Sequence, residues 1–217
     1  MTRVKICCIA NIEEARLAIK HGASALGLVS EMPSGPGVIP EKVIKEIADQ
    51  IPPGISTFLL TSKQNVDEII EQHYRCGTNT IQLCDRIING SHLQLKKALP
   101  GIKIVQVIHV AKKESIDEAV EVAEFVDAIL LDSGNQKLST KELGGTGRTH
   151  DWSISRKIVE SVNVPVFLAG GLNPQNVEEA ILQVKPFGVD ICSGVRTDSK
   201  LDEKKLKLFF DCVKSIS

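Results

Sequence analysis

A closed (β/α)8 (TIM) barrel of the α/β class, formed by one domain spanning residues 1–217, is the fold this sequence predicts. Short apolar runs alternate with amphipathic helical stretches eight times, some runs are apolar on both faces, and the last two open into small-residue loops. The length, 217 residues, lies near the lower end for such a barrel, and α/β barrels of this size form one domain.

The first run, residues 4–9, precedes a helical stretch at 12–21; the second, 24–29, precedes one at 40–50; the third, 55–60, precedes one at 65–75. A fourth run follows at 79–84 and a fifth at 103–109, the latter leading into helical spacing at 115–124. The sixth, 126–132, is separated by a long loop, 133–150, from a helix at 152–161. The seventh, 164–169, leads into 173–184, and the eighth is 188–192. Each helical stretch carries Glu and Lys on one face and Ala, Ile, Leu or Val on the other. Phe58-Leu59-Leu60 and Ile129-Leu130-Leu131 are apolar on both faces, as parallel strands buried under helices are. No linker or low-complexity segment interrupts the alternation, which favours closure; an open doubly wound sheet is the alternative arrangement of the same units.

Composition narrows the partners. Lys and Arg number 26 against 27 Asp and Glu, a net charge of -1 without long charged runs, so neither nucleic-acid binding nor an acidic tail is indicated. No apolar stretch approaches the length of about 20 residues that spans a bilayer, and the N-terminus leads straight into a strand pattern, so a cytoplasmic location is expected. The six cysteines, Cys7, Cys8, Cys76, Cys84, Cys192 and Cys212, do not form zinc-type pairs and are read as reduced thiols. His21, His73 and His92 have no partner at metal-ligand spacing, and His109 ends the fifth strand, either facing the barrel mouth or serving as a polar rim residue. Monomer and homodimer both fit.

Chemistry in such a barrel is concentrated at the C-terminal ends of the strands. Val164-Pro165-Val166-Phe167-Leu168-Ala169 opens into Gly170-Gly171-Leu172-Asn173, and the eighth run opens into Ser193-Gly194-Val195. Loops of this kind present bare backbone N–H groups to an oxyanion, and the loops after strands seven and eight form the usual phosphate site of the fold. The first strand ends at Cys7 and the sixth at Asp132, a thiol and a carboxylate across the mouth from each other. Taken singly, such a cysteine is more often a packed hydrophobe and such an aspartate a turn cap. Beside a phosphate anchor the pair points to proton transfer on a phosphorylated sugar.

The segments Lys5-Ile6-Cys7, Leu130-Leu131-Asp132, Leu143 through Trp152 (with Gly144-Gly145-Thr146-Gly147 and Thr149-His150-Asp151), Leu168-Ala169-Gly170-Gly171-Leu172-Asn173-Pro174 and Val189-Asp190 resemble the phosphoribosylanthranilate isomerase family of tryptophan biosynthesis, in its order and spacing over nearly the whole chain. The resemblance implies an Amadori rearrangement of a phosphorylated aminoaldose to an aminoketose, with no metal and no cofactor. It implies Asp132 as general acid, Cys7 as general base, and a phosphate held by Gly170, Gly171, Asn173, Ser193 and Gly194. Gly144, Gly145, Thr146 and Gly147 would form a cover over the mouth, or a plain surface loop with Asp151 capping the next helix; Trp152 is read as a packing anchor beneath it.

Three departures from the family pattern fall together. Cys8 replaces a glycine after the catalytic cysteine, Pro36 aligns with an arginine that meets the anthranilate carboxylate, and Cys84 replaces a histidine after strand four. Arg86 and Arg196 are candidates to take over the carboxylate; Arg86 alternatively is a solvated surface charge, and Arg196 a support for the phosphate. Two alternatives to the anthranilate reaction stay open: an isomerase acting on another phosphorylated sugar, and a non-catalytic phosphate-binding barrel.

Overall fold

The computed structural model describes residues 2–134, 141, 143 and 147–216. Eight parallel strands close into a barrel in sequence order: β1 (Arg3–Ile6), β2 (Ala25–Val29), β3 (Ser56–Thr61), β4 (Thr80–Leu83), β5 (Lys103–His109), β6 (Ala128–Asp132), β7 (Val166–Leu168) and β8 (Gly188–Ile191). β1 pairs with β8 through Arg3 to Gly188 and Lys5 to Asp190, which settles the closed barrel over the open sheet.

Around it lie α1 (Ile12–His21), α2 (Glu41–Ala48), α3 (Val66–Cys76), α4 (His92–Ala98), α5 (Glu114–Ala123), α6 (Trp152–Ser161), α7 (Val177–Val184) and α8 (Glu203–Ser215). A two-stranded ribbon, β9 (Arg196–Thr197) with β10 (Lys200–Leu201), precedes α8. Helix starts follow side-chain caps: the Asn11, Asn65, Ser91, Asp151 and Asp202 side chains each accept a backbone N–H from the first turn. α7 starts at Val177, later than the helical spacing predicts, because Asn173 is spent on a turn ahead of it.

Two cores result from the two-residue period of the strands. Val4, Ile6, Leu26, Leu28, Leu59, Ile81, Ile129, Leu131, Leu168, Val189 and Ile191 point outward into one large cluster with the helices. The alternate residues point inward: Ala25, Phe58, Val105, Val107, Leu130 and Phe167 fill the barrel, with Phe58 and Phe167 in edge-to-face contact at 6.0 Å, and Leu60 reaches the cavity at the mouth. Trp152 packs against the outer cluster, as an anchor would.

The cysteines depart from the expectation of six reduced thiols. Cys8 and Cys192 are joined as a disulfide with Cα atoms 5.9 Å apart, and Cys7, Cys76, Cys84 and Cys212 are free. Spacing of 184 residues hid this pair; only barrel closure brings the ends of β1 and β8 side by side.

Candidate active site

Strand parity assembles the site. Counting inward from the outward-facing Val4 and Ile6, β1 directs Lys5 and Cys7 to the interior; β4 directs Gln82 and Cys84, β6 directs Asp132, and β8 directs Asp190. Cys7, Gln82, Cys84, Asp132 and Asp190 line one cavity at the C-terminal mouth, about 690 Å³ including its opening. The expected acid and base thus face the same space.

Asp132 is buried, and burial raises its pKa, against the pull of the Ser133 backbone N–H that donates to Oδ1 at 2.7 Å. A carboxyl held in this way keeps its proton nearer neutral pH, as a general acid requires. His109 pairs in register with Asp132, and its Nε2 donates to the Cys84 carbonyl at 3.1 Å, so it is the rim residue of the two alternatives. Burial pushes the Cys7 thiol up to about 11, and the Lys5 ammonium pulls it down only in part, so the side chain rests as a thiol and not as the thiolate that a base requires. Lys5 is fully buried; burial favours its neutral form, but Asp190, accepting from Nζ at 2.9 Å, outweighs this and keeps it charged.

The side of the cavity formed by the loops after β7 and β8, where a phosphate is expected, is built on backbone shape. Gly170 and Gly171 have φ of 82° and 64°, in the left-handed region, and the backbone N–H groups of Gly170, Gly171 and Ser193 donate to no described residue. A Cβ on Gly171 would come within 2.6 Å of the Arg148 carbonyl carbon, and one on Gly194 would strike the Leu172 carbonyl oxygen. Gly194 therefore lets the loops after β7 and β8 pack together. Asn173 likewise supports the loop from behind, its Oδ1 accepting from the Gln175 N–H at 2.9 Å and its Nδ2 donating to the Gly171 carbonyl at 3.3 Å. Gly170, Gly171 and Ser193 line the cavity; Asn173 and Gly194 stand behind them.

Of the expected cover, Gly144, Gly145 and Thr146 lie outside the described residues, while Gly147 lines the cavity with φ of 69°. His150, which has no role on sequence grounds alone, aims Nδ1 at the space above Gly170, where Asp132 Oδ1 and Ser133 Oγ also converge within about 3 Å of a Cβ built there. Its Nε2 is 2.7 Å from Ser155 Oγ, and burial lowers its pKa to about 4, so it is neutral.

Neither arginine expected to meet a carboxylate lines the cavity. Arg86 pairs with Glu118 at 2.9 Å on the outer surface, the solvated alternative. Arg196 is half-buried, forms a two-pronged pair with Glu14 at 3.0 Å on both oxygens, and donates to the Cys7 and Cys8 carbonyls, so it fastens the end of β1. Lys141, which does not itself line the cavity, pairs with Asp85, and its carbonyl accepts from Ser34 Oγ at 2.6 Å. Those contacts tie together the loops after β2, β4 and β6.

The Cys8 departure has a physical account. Cys8 has φ of 62°, a conformation that suits glycine, and a Cβ on Gly37 would collide with the Cys8 side chain. Cys8 occupies room that Gly37 leaves in the loop after β2, and its sulfur bridges to Cys192. Among the described residues, no group of three His, Cys, Asp or Glu side chains is arranged to hold a metal ion, and no helix is long and apolar enough to cross a membrane.

Fold and cavity together define a (β/α)8 barrel of the enzyme type, with a carboxyl and a thiol on the wall of a cavity that Gly170, Gly171 and Ser193 also line. The chain belongs to the N-(5'-phosphoribosyl)anthranilate isomerase family, whose model matches residues 4–212. It is 38% identical over 206 residues to N-(5'-phosphoribosyl)anthranilate isomerase 2 of Methanosarcina mazei, covering 94% of this chain and 90% of that protein. Its identity to the isomerase of Methanocella arvoryzae is 32% over 216 residues, covering 100% and 98% of the two chains. Among solved structures, the phosphoribosyl anthranilate isomerase of Thermotoga maritima superposes with a TM-score of 0.81 at 30% identity, over 99% of this chain and 100% of that one. A family structure in complex with reduced 1-(o-carboxyphenylamino)-1-deoxyribulose 5-phosphate superposes with a TM-score of 0.78 at 28% identity, covering 99% and 100%.

Proposed function

We propose that this chain isomerises N-(5'-phosphoribosyl)anthranilate to the corresponding aminoketose in tryptophan biosynthesis, using Asp132 as general acid and Cys7 as general base. The observation that carries this assignment is the convergence of Cys7, Asp132 and the Gly170-Gly171 amides on one cavity. Asp132 gives its proton to the ribose ring oxygen as the C1–O bond breaks, and the anthranilate nitrogen lone pair forms the C1=N bond of the Schiff base. Cys7 then removes the proton from C2; the freed pair forms C1=C2 and neutralises the nitrogen. Protonation of this enolamine at C1, with loss of the proton from the C2 hydroxyl, delivers the ketone. Each proton transfer is worth on the order of 10² to 10⁴ in rate. Backbone amides of Gly170, Gly171 and Ser193 hold the phosphate and fix C1 and C2 between the two side chains.

Arg86 and Arg196 are engaged away from the cavity; Lys141, paired with Asp85 and tied through its carbonyl to the cavity-lining Ser34, is the cation assigned to the carboxylate of the aromatic ring. Lys141→Met is expected to raise KM for the anthranilate substrate about tenfold with kcat nearly unchanged in steady-state assays, as loss of one charged hydrogen bond implies. The enzyme is placed in the cytoplasm, as monomer or homodimer, with a small phosphorylated sugar derivative as its partner. Loss of anthranilate fluorescence on incubation with the substrate tests the assignment. Turnover supports it; tight binding of sugar phosphates without turnover would favour an isomerase for another phosphorylated sugar, which the missing arginine at Pro36 leaves room for.

A further inference from the structure

Lys5 has no place in the two-residue scheme of acid and base, and yet it is the largest fully buried side chain of the barrel. Its ammonium donates to Asp190 at 2.9 Å and lies 5.2 Å from the centre of the Phe58 ring. Both contacts are in the barrel interior, two residues from Cys7 on the same face of β1. Gly27 of β2 makes the room: a Cβ there would come within 2.8 Å of Cys7 Sγ and 3.0 Å of Lys5 Nζ, so the two heads share one side of that glycine.

A buried ion pair of this kind is a poor stabiliser, since well-packed neutral residues of the same volume serve a core as well or better. Its placement suits a different purpose. An ammonium with three donors gives one to Asp190 and has others to offer a neighbouring anion. From the geometry we propose that Lys5, held by Asp190, is a positioning residue that stabilises the thiolate of Cys7 for proton abstraction.

The inference rests on Cys7 being the base. The charged or titratable groups that act on Cys7 are Lys5 on β1, Asp190 on β8, Asp132 on β6 and Cys84 after β4; the Cys8 backbone N–H also bonds its sulfur. Of these side chains only Lys5 is a cation. Asp190 opposes it but secures it in place, and the push of the carboxylate on the thiol is smaller than the pull of the ammonium.

The test is alkylation of Cys7 by iodoacetamide as a function of pH, followed site by site by mass spectrometry, since only the thiolate reacts. Lys5→Met is expected to slow modification of Cys7 at pH 8 about tenfold or more and to move its midpoint upward. The double variant Lys5→Met with Asp190→Asn removes both charges and leaves no unpaired buried ion; it should fold even where the single variant does not, and should still alkylate more slowly than wild type. In turnover, the acid limb of the kcat profile should move to higher pH while KM stays within about twofold, whereas a merely structural lysine would lower the active fraction without moving the limb. Wild-type alkylation rates and midpoints in both folded variants would overturn the proposal. Absence of turnover in the wild type would count against the isomerase assignment alone, because alkylation reads the thiolate without substrate.

Discussion

At the scale of single residues, the site trades stability for reactivity. Asp132 carries a raised pKa in the fold because burial disfavours its charge. The folded protein therefore binds this proton more tightly than the unfolded chain does, and stability attached to it is present below the ordinary aspartate pKa and declines as pH rises through the raised value. Asp132→Asn keeps an acceptor for the Ser133 N–H and removes the charge. It is expected to melt at a higher temperature than wild type at pH 7, with the difference vanishing near pH 3 when thermal melts are compared. A wild-type melting curve at pH 7 would show that Asp132 is ionised without cost.

Cys7 and Asp132 were legible in sequence because each ends a strand-like run, where a barrel concentrates its chemistry. Lys5 and Asp190 stood in the same motif segments without a role, since a lysine beside isoleucine reads as a snorkelling surface charge until parity and closure turn it inward. His150 was hidden for another reason. Its nearness to Gly170 and Asp132 depends on the path of the β6–α6 connection, which sequence spacing does not specify.

At the scale of elements, the loops at the mouth are held by contacts distant in sequence. Arg196 before α8 grips Glu14 on α1 and the carbonyls at the end of β1, so the backbone carrying Cys7 is fixed from outside the barrel. Burial raises the Glu14 pKa, but the hydrogen bonds from Arg196 and from the Leu201 and Ala10 N–H groups more than reverse this. The stability this clamp contributes is present above the ordinary glutamate pKa and lost as pH falls through the lowered value.

Two predictions belong to these loops. Gly171→Ala forces a side chain into φ of 64° and against the Arg148 backbone, costing roughly 1–2 kcal/mol from the left-handed conformation alone. Its KM is expected to rise at least tenfold, more than kcat falls, because the loop that presents amides to the phosphate is displaced; an unchanged KM would remove the Gly170-Gly171 loop from substrate binding. For the bridge between the β1 and β8 ends, thiol titration of unreduced, denatured protein should count four thiols, and six would show Cys8 and Cys192 unpaired. The sequence places these cysteines at strand ends but cannot pair them, because neighbourhood of the first and last strands follows from closure.

At the scale of the whole molecule, alternation of strand and helix favoured the barrel, and the pairing of β1 with β8 decides it over the open sheet. Doubly apolar runs such as Phe58-Leu59-Leu60 require cover on both faces: helices supply one, the packed interior the other. The sequence pattern sets no bounds for the helices of the fourth and eighth units. α4 is only His92–Ala98, and α8 follows a short ribbon, so neither begins where simple alternation would put it. Closure is also what makes chemistry possible, since it sets β1, β6 and β8 around one cavity and brings Cys7, Asp132 and Asp190 to its wall.

The central claim is that this barrel moves two protons with Asp132 and Cys7. Its most direct test is kcat/KM for N-(5'-phosphoribosyl)anthranilate in wild type, Cys7→Ala and Asp132→Asn, each verified as folded and phosphate-binding. Losses of on the order of 10² to 10⁴ in both variants, with inorganic phosphate affinity retained, are the predicted result. Turnover within tenfold of wild type in either variant would contradict the assignment of that residue.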